Sequence, residues 1–531
     1  MNCTWSVDIL GQAVFKSEKQ IPHPAQTAGI RDDNRTFRTR SRPLASGLLA
    51  LALALLLVTS ACAVPLAPGY KIVKETEEVE FVVGQGGQPG KLEIHSRRTL
   101  QNNGTANLAF IDIEFPDEKG FGRKNLHAEW DGHEAKLSML PEEEQPDHPN
   151  TLRIAFDSPW TRGQSHELAI EYELSSPEDS GSRITIGEDN FHLGSLGWIA
   201  LPQPPGHFLA AYPKRPDKTE YSIRVPADFL VLARGKMLGR KRAGNDVEFR
   251  FRLRAKDLAA FAVGGSYKEQ AFRRGSGTVV LWTLEPLKDD PGTTPERLAD
   301  AWSTLENDFG TLDPDIHVPR IVESPELRGH IAGESGPAAA SFPGGALVNR
   351  ELLALGVASD AFVERVTHSL AHNWFGDEMS PTSEAAIAMG EGLPDYATIV
   401  IDEARSGPET RHRRIVDYLR RYDEATSRGA ETPLGVTQLT DPPEQRNIAL
   451  AKAPLMYAAL EDRCGEAPVR NGLKHLVTLL RGQEVGINDM RSAIEHTCGK
   501  DLGEFFRVWL YAKGLPSDFR ARYETGASTG N

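Results

Sequence analysis

Cysteine is scarce in this chain, four in 531 residues, which excludes a small scaffold stapled by disulfides. Long apolar runs are scarcer still. The most extended, residues 48–58, reads LLALALALLLV and falls short of the roughly 20 residues a membrane-crossing helix wants. No internal repeat recurs, so a solenoid or propeller is not indicated. Positive charge is in deficit, with 60 Lys and Arg against 74 Asp and Glu and a net charge of −14. Residues 1–43 hold seven basic and four acidic side chains, so the remainder carries −17. A surface of that sign repels phosphate backbones and argues against a nucleic-acid partner. What is present is an ordinary globular balance, 40% apolar and 25% charged, in a length suited to about three domains.

The N-terminal part reads as an export signal. Arg35, Arg38, Arg40 and Arg42 precede an uncharged stretch, and the eleven-residue run inside it has the length of a signal h-region. Thr59-Ser60-Ala61-Cys62 follows at once and resembles a bacterial lipoprotein cleavage box, with Cys62 as the lipidated residue. Two alternatives stay open: an ordinary cut after Ala61-Cys62-Ala63, or an uncleaved signal anchor. The expected organisation is a basic leader over 1–43, whose Met1 need not be the true start, and a signal peptide over 44–62. On this reading the protein is exported and held at a bacterial envelope membrane through a lipid or signal anchor, on its periplasmic or extracellular face. Cys464 and Cys498 then remain in the exported body, an even pair compatible with one disulfide and equally with two buried thiols.

From residue 70 to about 275, short alternating runs such as LEIHSRRTL, HELAIEYEL and VEFRFRL are separated by Gly, Pro, Asn and Asp turns. Period-two alternation at this spacing predicts antiparallel sheets packed as a sandwich. The basic cluster Arg240-Lys241-Arg242 reads as a solvated hairpin tip. After 275 the pattern changes to a strand at 278–283, a helix at 296–309 and strands at 317–323 and 344–349. Helices dominate from 361, including 445–464, 467–481, 487–498 and 502–512, and a flexible tail is expected over 521–531. The fold class is therefore α+β and multidomain, with a β-domain over 70–275 and a second domain over 276–520.

The stretch FVERVTHSLAHNWFG, 362–376, carries the chemistry. Val363, Val366, Leu370 and Trp374 form one stripe of a helix that Gly376 can end. His368 and His372 are four apart, so their imidazoles lie one turn above each other and can grip one cation. Glu391, nineteen positions further in MGEGLPDYA, is the candidate third ligand. Asp395, a turn beyond it, can accept the spare N–H of a ligating histidine.

HSLAHNWFG followed by GEGLPDYA resembles the zinc signature of the membrane alanyl aminopeptidase family of gluzincin metallopeptidases. That family's pattern is H-E-x-x-H-x-W-F-G, then a glutamate ligand in N-E-G. The likeness extends from YSIRVPADFLVLARGKMLG and DLAAFAVGGSYKE to DLGEFFRVWLYAKGLP, covering roughly 70–519. It implies a β-sandwich packed on a thermolysin-like α/β domain ending in helices. It also implies one Zn2+ on His368, His372 and Glu391 and a peptide or protein ligand in the cleft.

Three departures bear on activity. The family's general-base glutamate is Ser369, and a hydroxyl cannot hold a proton taken from water at neutral pH. The oxyanion-binding tyrosine of Y-x-K-[GA] is Leu450 in Leu450-Ala451-Lys452-Ala453, with Tyr457 two turns on as a possible substitute. The glutamate of G-x-M-E-[NY], which binds the substrate amino terminus, is Ser341. Ser341, Gly344 and the nearby Glu334 are the candidate substrate-binding positions. Loss of the base and of an oxyanion donor costs about 10²–10⁴-fold and about 10²–10³-fold respectively, too much for efficient turnover. The expectation is a zinc-holding, non-catalytic homologue that binds peptide or protein. Two alternatives remain: an active metallopeptidase using Glu334, Glu364 or Glu384 as a rearranged base, and a metal-free scaffold.

Overall fold

The computed structural model of the chain describes residues 4–7, 13–16 and, between 69 and 524, all but 115–123, 141–150, 176–183, 195–197, 204–218, 254–260, 275–276, 288–290, 313–317, 326, 328–335, 337 and 440. The signal segment with Cys62, the leader apart from two paired strands (Thr4–Val7 and Ala13–Lys16), and Glu334 lie outside the described residues. Among those described, no helix is long and apolar enough to cross a membrane.

The alternating text forms strands as expected. Lys91–Asn102 turns Leu92, Ile94, Ser96, Arg98 and Leu100 inward and leaves the residues that alternate with them at least partly exposed. It lies inside an eight-stranded sheet with Tyr70–Val82 and Ser165–Leu174 on either side. Two four-stranded sheets, one carrying Asn190–Leu193 and the other Leu108–Glu114, share one apolar core with it. Ile94, Ile111, Phe191 and Ile223 meet there, so the N-terminal part is a layered β-structure.

Arg98 also points inward. Its Nε donates to Glu75 at 2.9 Å, and its guanidinium pairs with Glu77, an ion cluster that alternation alone does not reveal. The basic cluster 240–242 is not a hairpin tip. It lies inside the edge strand Lys236–Ala243, and the turn follows at Gly244-Asn245. Exposed cations along a free edge oppose pairing with another chain.

A five-stranded mixed sheet opens the second part, in the order Lys268–Arg274, Gly277–Thr283, Arg320–Glu323, Gly345–Val348, Ala339–Phe342. The first of these strands was expected in the β-domain, so the change of sheet comes before 268, not at 275. A strand's own alternation does not say which sheet it will join. Gly345 is required where Gly345–Val348 pairs with Arg320–Glu323, since a Cβ there would stand 2.0 Å from the Arg320 carbonyl.

The helices are α1 (Thr294–Phe309), α2 (Arg350–Ala354), α3 (Asp360–Ala371), α4 (Gly392–Ser406), α5 (Pro408–Arg428), α6 (Pro443–Cys464), α7 (Glu466–Leu479), α8 (Ile487–Cys498), α9 (Gly503–Tyr511) and α10 (Ser517–Glu524). Residues 521–524, expected in the tail, belong instead to α10, which buries Phe519 and Tyr523, and the rest of that expected tail lies outside the described residues. Cys464 and Cys498, which end α6 and α8, are joined by a disulfide. The two parts meet through Phe261 and Tyr267 on one side and Trp282, Val322 and Phe342 on the other. The Phe261 and Phe342 rings stack at 5.2 Å.

Candidate metal centre

Helix α3 begins on Ser359, whose hydroxyl accepts from the Phe362 N–H, and buries Phe362, Val363, Val366 and Leu370. Its α-geometry ends at His372. A π-helical turn then carries Asn373–Asp377 around Phe375 and Gly376, both outside helical φ/ψ. Trp374 and Asn373 fix that turn. The Trp374 indole donates to the Gly310 carbonyl at 2.6 Å and its ring meets Trp302 edge-on at 5.0 Å. The Asn373 amide accepts from the Gly344 N–H at 2.7 Å and donates to the carbonyls of Gly345 and Leu370.

Glu391 arrives from a second π-turn, Ala386–Glu391, at the foot of α4. Gly392 lets that foot touch α6, because a Cβ there would come within 2.6 Å of the Ala453 Cβ. Tyr457 on α6 holds the π-turn by donating to the Ala388 carbonyl at 2.8 Å. Its hydroxyl is therefore committed inside the protein and is not a substitute oxyanion donor.

These elements bring His368, His372 and Glu391 together. The two Nε2 atoms are 3.1 Å apart, and Glu391 Oε2 lies 3.4 Å from the first and 3.6 Å from the second. Tetrahedral coordination with zinc–ligand bonds of about 2.0–2.2 Å places its donors roughly 3.3–3.6 Å apart, so the three atoms fit a zinc ion. They are the one group of three or more such donors found among the described residues. Asp395 Oδ1 stands 2.9 Å from His368 Nδ1, which directs the proton to Nδ1 and the lone pair to the shared pocket. Burial opposes charge on His368, but Asp395 and Glu391 outweigh it and push the ring up to about 10. The pocket thus favours positive charge at this point. Tyr418 of α5 adds a hydroxyl against Asp395.

The residues that stand at the motif's other positions are equally defined. Ser369 is fully buried on α3, and its hydroxyl has no hydrogen-bond partner among the described residues. Leu450 on α6 lines the same cavity as His368 and Glu391, so hydrocarbon stands beside the triad there. Of the acids that could replace the base, the two described have other partners. Glu364 pairs with Arg414 at 2.8 Å, and Glu384 accepts from the Tyr511 hydroxyl. Gly344 does not offer the backbone donor expected of a substrate-binding position, since its N–H is taken by Asn373 and its carbonyl accepts from Arg320 N.

Ser341 lies on the sheet's edge strand with its hydroxyl against Asp377, a residue the motif reading passed over. Burial raises the Asp377 carboxyl while Arg234, from the β-domain, and His372 oppose the rise. The signal that could have found it was its place one residue beyond Gly376, at the end of the π-turn.

Residues 348–509 match the peptidase family M1 domain. The M1 zinc metallopeptidase of Deinococcus radiodurans has a similar structure, with a TM-score of 0.57 at 17% identity, over 84% of this chain and 95% of that one. A mutant of it bound to a Tyr-Ser-Ala substrate gives 0.53 at 18%, over the same shares. Aminopeptidase A of Legionella pneumophila in complex with aspartic acid gives 0.58 at 14%, over 84% of this chain and 50% of that one. No curated protein matches. The mixed α+β architecture, sheet-rich first and helical after, is that of these M1 structures.

Proposed function

We propose that this chain, built around a peptidase family M1 domain, is a zinc-holding homologue of the aminopeptidases that binds peptide or protein in its cleft without turning it over. The observation that carries the reading is Ser369. A buried, unbonded hydroxyl occupies the place of the carboxylate that the reaction needs as its general base, and its pKa is far too high for that work. Leu450, which lines the same cavity as His368 and Glu391, supports it by offering no hydrogen to a developing oxyanion. The ligand set itself is complete, and His368 is held in the metal-binding tautomer by Asp395.

Zinc bound there would supply Lewis-acid polarisation of a peptide carbonyl. The chain's own residues would position the ligand, with His368 and Glu391 of the triad on the wall of the cavity that Leu450 also lines. The peptide seen on the Deinococcus relative supports a peptide as the kind of ligand. Export and attachment to a membrane through Cys62 belong to the same proposal and rest on the sequence of residues 35–62.

The test is the zinc content of natively purified protein together with an aminoacyl-anilide assay. About one zinc per chain with no turnover is expected. Ser369→Glu combined with Leu450→Tyr should then create chelator-sensitive hydrolysis. Wild-type turnover abolished by His368→Ala would overturn the proposal in favour of an active enzyme. Zinc-free protein whose stability ignores chelator would leave only a scaffold.

A further inference from the structure

The cavity of about 820 Å³ that opens beside His368, Glu391 and Asp395 is walled on one side by α5. Arg414, Arg421 and Arg428 recur there every seven residues and all line the cavity. At a rise of about 1.5 Å per residue the three span roughly 21 Å, the length of about six residues of extended chain.

The arginines are not equivalent. Arg414, the innermost, is spent on Glu364 at 2.8 Å, Asp402 at 3.2 Å and the Thr398 hydroxyl at 3.3 Å. Arg421 reaches Glu364 only at 3.9 Å and lies 5.0 Å over the ring of Tyr418, whose hydroxyl is against Asp395. Arg428 makes no ion pair among the described residues. Neither does Arg365, one turn before His368 on the facing wall. Of the acids outside the metal site, Glu364 is shared by Arg414 and Arg421, and Glu424 is bound by Arg420 at 2.5 Å, which leaves Glu444 as the lining acid without an ion pair among the described residues. With a dication offsetting Glu391 and Asp395, the outer cavity carries an excess of positive charge.

We infer that the occupant of this cavity is an anionic peptide, whose C-terminal or side-chain carboxylate is received by Arg421, Arg428 and Arg365 while a peptide group faces the triad. Guanidinium groups suit this task because their planar donors match a carboxylate in pairs. The inference rests on the peptide-binding reading above and adds the chemistry of the ligand to it.

Calorimetric titration of the zinc-loaded protein with two peptides tests it. One is Ala-Ala-Leu-Ala-Ala-Asp with a free C-terminus, and the other ends in Asn-amide. The acidic peptide should bind at least about tenfold more tightly, with a dissociation constant that rises with salt. The preference should vanish in Arg421→Ala/Arg428→Ala and largely survive in Arg421→Lys/Arg428→Lys, with melting temperature read for each to show intact folding. Equal binding of both peptides, or a preference unchanged in a folded Arg421→Ala/Arg428→Ala protein, overturns this inference and leaves peptide binding standing. Binding of neither overturns both.

Discussion

His192 gives the protein an acid-labile point away from the metal. Its ring is buried on Asn190–Leu193, 5.7 Å from the Phe261 ring, which in turn stacks on Phe342 of the sheet that carries Ser341. Nδ1 has no hydrogen-bond partner among the described residues, and burial alone lowers the ring's pKa from 6.5 to about 3. The folded value is depressed, so the unfolded chain binds the extra proton below pH 6.5. Stability from this group is complete above 6.5 and is lost as pH falls from there towards 3. Each unit costs about 1.4 kcal/mol, so the contribution at pH 4.5 is about 2.7 kcal/mol below its value at pH 7.5. Urea unfolding of wild type and His192→Phe across that range separates it from the carboxylates, which both proteins share. The difference in unfolding free energy between the two should shift by that amount in favour of the variant at low pH. Parallel pH profiles would refute the argument.

Further outcomes follow from the same geometry. Asp395→Asn removes the acceptor that orients His368, and zinc affinity measured against a competing chelator should fall about 10–100-fold with the fold intact. Asn373→Ala leaves the Gly344 N–H and the carbonyls of Gly345 and Leu370 without their partner, at a cost of about 3–5 kcal/mol in urea unfolding. Cys464→Ser with Cys498→Ser opens a loop of 34 residues and should cost roughly 3–4 kcal/mol, read against the oxidised wild type.

Much of the fold was legible because it is written in local periodicity. The stripe of Val363, Val366 and Leu370 announces α3, and the alternation of Leu92, Ile94 and Leu100 announces a half-buried strand. The same rule points Arg98 inward but does not say why a charge is tolerated there, which is that Glu75 and Glu77 on the neighbouring strand meet it. It also gave no reason to assign Lys268–Arg274 to the second sheet. Helix α5, whose polar face is crowded with arginine, carried no motif at all. Its role is visible only when that face is seen to wall the cavity.

For the site, the residues alone specify the two histidines one turn apart and the distant glutamate, while Ser369, Leu450 and Ser341 stand out only against the pattern the motif resembles. Those are facts of identity and spacing, and an α-helix converts spacing into direction without outside help. Packing decided the rest. It set Asp395 on His368, turned Tyr457 towards Ala388, paired Glu364 with Arg414 and Glu384 with Tyr511, and laid Asp377 against Ser341. Each of these pairs joins elements whose separation depends on how helices and sheet edges bury their apolar faces. No window of sequence a few turns long contains that information.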